Sequence, residues 1–277
     1  AKYELNDIKT SNVWKLAVLF RDAKMKALPA SAPHTRLLGN MKRLLRGAKQ
    51  PSHTDSVRLD LDSGQPGCVA VEPRQQPIDV IICVHNALED VKRCVASVVQ
   101  FSVDPYRVIL VDDGSGAETN AFLEGVQQNH PDWILHRNEQ ATGYTLAANT
   151  GLRLSSAPLV VLLNSDTLVG PNWLERLSRA FDRSEKIGVV GPLSNTASWQ
   201  SVPKLNDGDD WADNPLPDGI EASAMSDLIA KYSACILPEV PLLNGFCMMI
   251  NREAFKDIGI FDEETFGQGY GEEDDFN

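Results

Sequence analysis

Apolar residues along this chain recur with two periods, and from Pro77 onward the two alternate. Residues 159–163, Leu-Val-Val-Leu-Leu, form an unbroken apolar run between Pro158 and the polar cluster Asn164-Ser165-Asp166-Thr167. Such a run, rich in branched side chains, predicts a strand buried on both faces. Residues 78–84 and 106–111 predict two more, and 133–136 a shorter one. Between them the period becomes helical: Val91, Cys94, Val95 and Val98 share one face of a helix over 88–101. Ser115-Gly116-Ala117-Glu118 has the form of a capping box opening a second helix. A third covers 146–154 after Gly143, and Pro171 marks the start of a fourth. Strand and helix in alternation predict an α/β, doubly wound sheet.

Beyond residues 187–191 the alternation breaks. Residues 192–240 are rich in Pro, Asp, Asn and Ser, with one helical patch at 224–232, as expected of a loop-rich lobe over a site. Pattern returns as a strand at 243–250, a short helix at 252–258 and an acidic tail, Gly271-Glu272-Glu273-Asp274-Asp275-Phe276. Ahead of Pro77 the character differs. Residues 13–20 and 37–45 carry helical periodicity, the second with Arg36, Lys42, Arg43 and Arg46 around it, and 50–76 is Pro, Ser, Asp and Gly rich. The expected organisation is a helical extension and linker over 1–76 and one domain over 77–277. A basic amphipathic helix suits either an anionic membrane surface or docking on a protein body, and the second is the commoner role.

Composition narrows this picture. Among 277 residues, 43% are hydrophobic and the net charge is −12. Residues 1–76 hold 13 basic and 7 acidic side chains, and 77–277 hold 13 and 31. An acidic body makes nucleic acid an unfit partner and is compatible with recruiting divalent cations. Cys68, Cys83, Cys94, Cys235 and Cys247 are odd in number with no C-x-x-C pair, the pattern of reduced thiols in an intracellular protein. No apolar run approaches the ~20 residues of a membrane helix, and the N-terminus lacks a secretory signal. Soluble, cytoplasmic placement is expected. The chain starts without Met and stops at Asn277 inside a motif, so further domains of a longer chain are expected as well.

Ligands of open α/β sheets bind beyond the carboxyl ends of the strands. Asp166 would project from that rim, where a carboxylate can hold Mg²⁺ or Mn²⁺ against a phosphate. Equally, Asn-Ser-Asp can be a turn that caps the helix starting at Pro171. Asp112-Asp113 and residues 272–275 are two further acidic clusters in strand ends or loops, and clustered carboxylates call for cations or donors. His85-Asn86-Ala87 replaces the glycine fingerprint of dinucleotide folds, and neither a Walker sequence nor G-x-S-x-G occurs. His85, His130 and His136 have no metal-ligand spacing. A nucleotidyltransferase would want a Gly- and Arg-rich loop after the first strand, which His85-Asn86-Ala87 is not. A catalytically inactive, sugar-nucleotide-binding scaffold remains a second alternative.

Taken in order, Val80-Ile81-Ile82-Cys83-Val84-His85-Asn86, Val111-Asp112-Asp113-Gly114-Ser115, Asn138 with Gly143-Tyr144 and Ala148-Asn149, Leu163-Asn164-Ser165-Asp166-Thr167 and the acidic tail resemble glycosyltransferase family 2 on a GT-A fold. Within it they are most similar to bacterial rhamnosyl- and galactofuranosyltransferase-like enzymes of polysaccharide synthesis. The resemblance covers about residues 77–277. It implies a Rossmann-like mixed sheet with a loop-rich acceptor lobe. It also implies transfer, with inversion, from a UDP- or dTDP-sugar to a hydroxyl of a glycan or lipid-linked acceptor for the cell surface, at the inner face of the membrane. Carried over by motif, Cys83, Val84, His85, Asn86, Asp112, Asp113, Asn138, Gly143, Asn149, Asn164 and Ser165 would bind the nucleotide, with Asp113 on the pyrimidine. Asp166 would be the metal ligand, closing a D-x-D element whose first position here is Asn164. Glu273 would be the catalytic base, with Asp274 its rival and Asp275 beside them.

Overall fold

The computed structural model describes residues 76–207, 210–233, 237–267, 269 and 271–277. The helical extension and most of the linker expected over 1–76 lie outside the described residues. The strands are β1 (Ile78–Val84), β2 (Tyr106–Asp113), β3 (Ile134–Asn138), β4 (Leu159–Asn164), β5 (Val189–Val190), β6 (Asn206–Asp207), β7 (Asp210–Trp211) and β8 (Cys247–Asn251). The helices are α1 (Leu88–Phe101), α2 (Ala117–Asn129), α3 (Tyr144–Leu154), α4 (Trp173–Ser178), α5 (Ala222–Tyr232), α6 (Ala254–Ile258), α7 (Glu263–Phe266) and α8 (Glu272–Phe276). One sheet runs β3-β2-β1-β4-β8-β5, with β6 and β7 paired apart from it. The first four strands are parallel, and β8 lies antiparallel to both β4 and β5. The doubly wound mixed sheet expected from the sequence is therefore present.

Alternation along β1 sets the layers. Ile78, Val80, Ile82 and Val84 pack with Val91, Cys94, Val95 and Val98 of α1, Leu123 and Val126 of α2, and Trp173, Leu174 and Leu177 of α4. Ile81 and Cys83 face the other layer, with Ala147, Ala148 and Leu152 of α3 and with Phe261 and Phe276. Small residues let α3 sit close: a methyl group on Gly151 would stand 2.3 Å from Ile81 Cγ2. At the amino end of β1 the buried Asp79 carboxylate receives two Arg107 donors at 2.9 Å, Ser155 Oγ at 2.8 Å and the Ser156 and Ala157 amides. Burial raises its pKa, but these donors more than offset that and hold it below the usual range. Asp79 thus locks β1 to β2 and to the α3–β4 turn.

Three local expectations change. Ser115 does not cap α2, because its hydroxyl accepts from Asn86 N–H at 2.9 Å and so ties the β2 turn to the β1 turn. The helix after Pro171 begins two residues later at Trp173, with Asn172 left-handed at φ 56°. Strand β8 begins at Cys247, because Asn244 is drawn away by the Gln200 side chain, whose Oε1 accepts the Asn244 amide at 2.7 Å.

Candidate active site

Since β2 and β3 lie on one side of β1 and β4 on the other, the chain reverses direction in the sheet between β1 and β4. Carboxyl ends bordering such a reversal form the binding crevice. Register fixes what meets there: Val84 is opposite Asp112, and Cys83 is flanked by Val111 on β2 and Asn164 on β4. Asp113 and Asn164 therefore stand about two strand spacings apart, roughly 10 Å.

On the β2 side, Cys83, Val84, His85, Asp113, Ala141, Gly143, Tyr144 and Ala147 line a cavity of about 270 Å³. Asp113 organises its wall. Only 5% exposed, its carboxylate receives Asn138 Nδ2 (2.8 Å), Thr142 Oγ1 (2.7 Å), Gly143 N–H (2.9 Å) and a Thr142 N–H shared between both oxygens at 2.8 and 3.0 Å. Burial raises this carboxyl's pKa, yet the donors outweigh it and keep the group below its usual range. Burial, reinforced by the Asp113 charge, pushes the Cys83 thiol up, so it faces the cavity as a neutral thiol.

The β1–α1 turn is held as firmly. Asn86 and Ala87 are both left-handed, at φ 59° and 51°, a conformation that costs a non-glycine residue about 1–2 kcal/mol. Hydrogen bonds hold it: Asn86 N–H donates to Ser115 Oγ, and Asn86 Oδ1 accepts from Gly116 N–H at 2.8 Å. That orientation turns Asn86 Nδ2 toward His85 Nε2 at 3.0 Å, so Nε2 accepts and Nδ1 carries the proton it donates to the Asp113 carbonyl at 2.7 Å. His85 is thereby held in one orientation at the mouth of the cavity.

Not every residue expected at the site reaches it. Asp112 is fully buried, paired with Arg137 and accepting the Ser115 amide at 2.8 Å. Asn138 donates to Asp113 and does not itself line the cavity. Asn149 is also fully buried; its amide clasps Phe261 through N–H and C=O and reaches Glu263 Oε1 at 2.9 Å, joining α3 to the segment before α7. It is not among the residues lining the cavity. Ala141 and Ala147 line it without any motif pointing to them, as does Tyr144, which the motifs include but do not assign to the nucleotide; Tyr144 and Ala147, three apart at the start of α3, share one helix face.

On the β4 side, the Asn164 carbonyl accepts Thr167 N–H at 3.1 Å, closing a turn with Ser165 and Asp166 at its corner. The turn does not cap α4, which starts at Trp173. Asp166 is exposed and carries no side-chain hydrogen bond or ion pair among the described residues. The turn is stitched to the loop before β8 by Asn164 N–H on the Phe246 carbonyl at 2.8 Å. In that loop a methyl on Gly245 would lie 3.4 Å from Glu273 Oε1. The acidic tail thus meets the β4 rim, with Glu273 half-buried and Asp274 exposed. Gly269 and Gly271, at φ 107° and 115°, make the bend that brings α8 there, and Phe276 anchors it against Phe261 at 5.3 Å.

Among the described residues no three His, Cys, Asp or Glu side chains form a metal cage. One free carboxylate fits a hard cation that takes its other oxygens from phosphate and water, which is how Mg²⁺ is commonly held. A larger cavity, about 540 Å³, opens at the amino end of the sheet beside Pro77 and Pro158; its Asp79 and Arg107 neutralise each other. No described helix is long and apolar enough to cross a membrane.

Known proteins resemble this chain in sequence and in fold. The pre-mycofactocin glycosyltransferase of Mycobacterium tuberculosis is 28% identical over 195 residues, 69% of this chain and 37% of that protein. An uncharacterised glycosyltransferase of Nostoc sp. is 28% identical over 116 residues, 42% of this chain and 36% of that protein. The chain spans less than half the length of these curated relatives. Its fold is similar to the mannosyltransferase PcManGT from Pyrobaculum calidifontis in complex with GDP-Man and Mn²⁺, at TM-score 0.51 and 18% identity over 76% of this chain and 54% of that one. It is also similar to GalNAc-T7 with UDP, GalNAc and Mn²⁺, at TM-score 0.53 and 19% identity over 73% and 40%. These are GT-A glycosyltransferases, and the mixed sheet described above is of their kind. Residues 79–259, more than half of the chain, match the family model described as glycosyl transferase family 2, and the chain belongs to that family.

Proposed function

We propose that this domain transfers a sugar, with inversion, from a pyrimidine nucleoside-diphosphate sugar to a hydroxyl of a glycan or lipid-linked acceptor. The observation that carries the reading is convergence: the 270 Å³ cavity, the free Asp166 and the half-buried Glu273 border one rim of one sheet. The nucleoside would occupy the cavity. Thr142 N–H is divided between the two Asp113 oxygens, so a base N3–H can take the Oδ2 arm while Thr142 settles on Oδ1. His85, held in place by the Asp113 carbonyl and Asn86, would border the ribose. The diphosphate would then extend across β1 toward Asp166, a span of two strands.

Asp166 would hold a divalent cation, Mg²⁺ or Mn²⁺, with the diphosphate; the Mn²⁺ in both structural neighbours supports this. When bound, that cation neutralises charge on the departing nucleoside diphosphate. Asn164 contributes a neutral side chain where an acid would add a second anionic ligand. Glu273 would take the proton of the acceptor hydroxyl as its oxygen bonds the anomeric carbon and the bond to the diphosphate breaks on the opposite face, giving inversion. Asp274 and Asp275 lie in the same turn, and the exposed Asp274 is the rival base. An acceptor on a membrane surface, in cell-surface polysaccharide synthesis on the cytoplasmic side, fits the reading. Calorimetric titration with UDP, dTDP, GDP and ADP in the presence of Mn²⁺ tests it: the pyrimidine nucleotides should bind at least ~10-fold tighter, and equal affinity for ADP refutes the assignment of the cavity.

A further inference from the structure

Glu272 and Glu273 open α8 side by side, yet their surroundings differ. Glu272 is 3% exposed, and its Oε2 has no hydrogen-bond partner. Its carboxyl lies against Gly269, where a methyl group would stand 3.9 and 4.0 Å from the two oxygens and 3.4 Å from Tyr144 Cβ. The titratable groups facing it are Glu273 and Asp274 from its own helix and Tyr144 from α3, around which Cys83 and Cys247 also lie. Among the described residues no Lys, Arg or His pairs with it. A buried ionised carboxylate with one orphaned oxygen and only its own backbone N–H as a donor is costly, and two carboxyl groups at one site settle by sharing a proton. A proton on Glu272 gives the orphaned oxygen a partner and leaves the more accessible Glu273, packed against Gly245, as the ionised member. Burial first, and then the Glu273 charge, push the Glu272 carboxyl up to about 7.

We propose that Glu272 is a positioning residue, a neutral carboxylic acid that donates its O–H to the Glu273 carboxylate and so aims the base at the acceptor. The role rests on Glu273 being the base. During transfer Glu273 receives the acceptor's proton, while Glu272 keeps its own throughout.

The test compares Glu272→Gln, which keeps a donor in place, with Glu272→Met, which keeps the volume without one, and with Glu273→Gln, all in the full-length protein. The glutamine variant should hold kcat within ~3-fold of wild type. The methionine variant should lose ~10-fold or more in kcat with donor KM unchanged, and its acidic limb of kcat/KM should move up by about one pH unit. Equal impairment of both variants with an unmoved limb overturns the role, as does a Glu272→Gln protein as inactive as Glu273→Gln. Near wild-type turnover of Glu273→Gln instead removes the base assignment, whatever happens at 272. A second readout needs no turnover. A carboxyl whose folded pKa is raised lends stability below its unfolded pKa and loses it as pH rises through the folded value. Relative to Glu272→Gln, the wild-type melting temperature should therefore fall as pH rises from about 4.5 to about 7 and level off above that. Parallel melting curves for the two proteins across that range overturn the proposal even where the methionine variant does not fold.

Discussion

Replacing Asp113 by Asn perturbs the site with the least change of shape and the largest change of chemistry. One carboxylate oxygen becomes an NH₂ group, so Gly143 N–H, or the Asn138 and Thr142 donors if the amide flips, faces a donor instead of an acceptor. Hydrogen bonds to a charged group contribute about 1.5–3 kcal/mol, and a donor left unsatisfied costs about 1–3 kcal/mol. Ala141 and Thr142 are exposed, so water recovers part of this. The net expectation is a loss of about 2–3 kcal/mol, or a melting temperature lower by roughly 4–12 °C in a domain of this size. Because the folded pKa of Asp113 is depressed, its contribution is complete above the unfolded value of about 3.9 and is lost as pH falls through the folded one. The gap between wild type and Asp113→Asn should thus be widest near neutrality and close in acid. Urea denaturation over a pH series reads the gap, and UDP calorimetry on the same samples should show weakened binding as the wall around Gly143 loosens. An Asp113→Asn protein that unfolds with wild type at neutral pH and binds UDP equally well refutes the reasoning.

Asp166→Ala should abolish the gain in nucleotide affinity on adding Mn²⁺, whereas Asn164→Asp should preserve or increase it; a normal Mn²⁺ response in Asp166→Ala would make Asp166 only a turn residue. Gly151→Ala, far from the carboxyl rim in chemistry but pressed against Ile81 Cγ2, should cost about 1–3 kcal/mol by overpacking in urea denaturation while leaving nucleotide affinity unchanged in the surviving fold.

Burial on both faces made the strands readable. In each of β1 and β4 every position but one is buried, so the apolar runs and the elements coincide, and α1 buries Val91, Cys94, Val95 and Val98 as its period requires. The rim followed from the strand ends, which is why Cys83, Val84, His85, Asp113 and Gly143 come together. Roles within the rim were less readable. Asn149 looks the same in the sequence whether its amide faces a ligand or, as here, clasps the Phe261 backbone 112 residues away. Asp112 is adjacent to Asp113 but points into an ion pair with Arg137, a partner supplied by strand register. Ser115 had the spacing of a cap, and tertiary contact with Asn86 took its hydroxyl instead. Nothing local distinguishes Glu272 from Glu273; only the bend at Gly269 and Gly271 buries one and leaves the other half open.

Glu273 and Asp166 are expected to act on one bound nucleotide sugar to release a nucleoside diphosphate. The full-length protein, its Glu273→Gln variant and its Asp166→Ala variant, each incubated with UDP- and dTDP-sugars, Mn²⁺ and a glycan acceptor, decide it when the released nucleotide is separated and quantified. Wild type should release UDP or dTDP, and Glu273→Gln should bind donor normally but turn over at least ~10²-fold more slowly. Pyrophosphate as the product, tight binding with no turnover in wild type, or a Glu273→Gln rate equal to wild type would contradict the account.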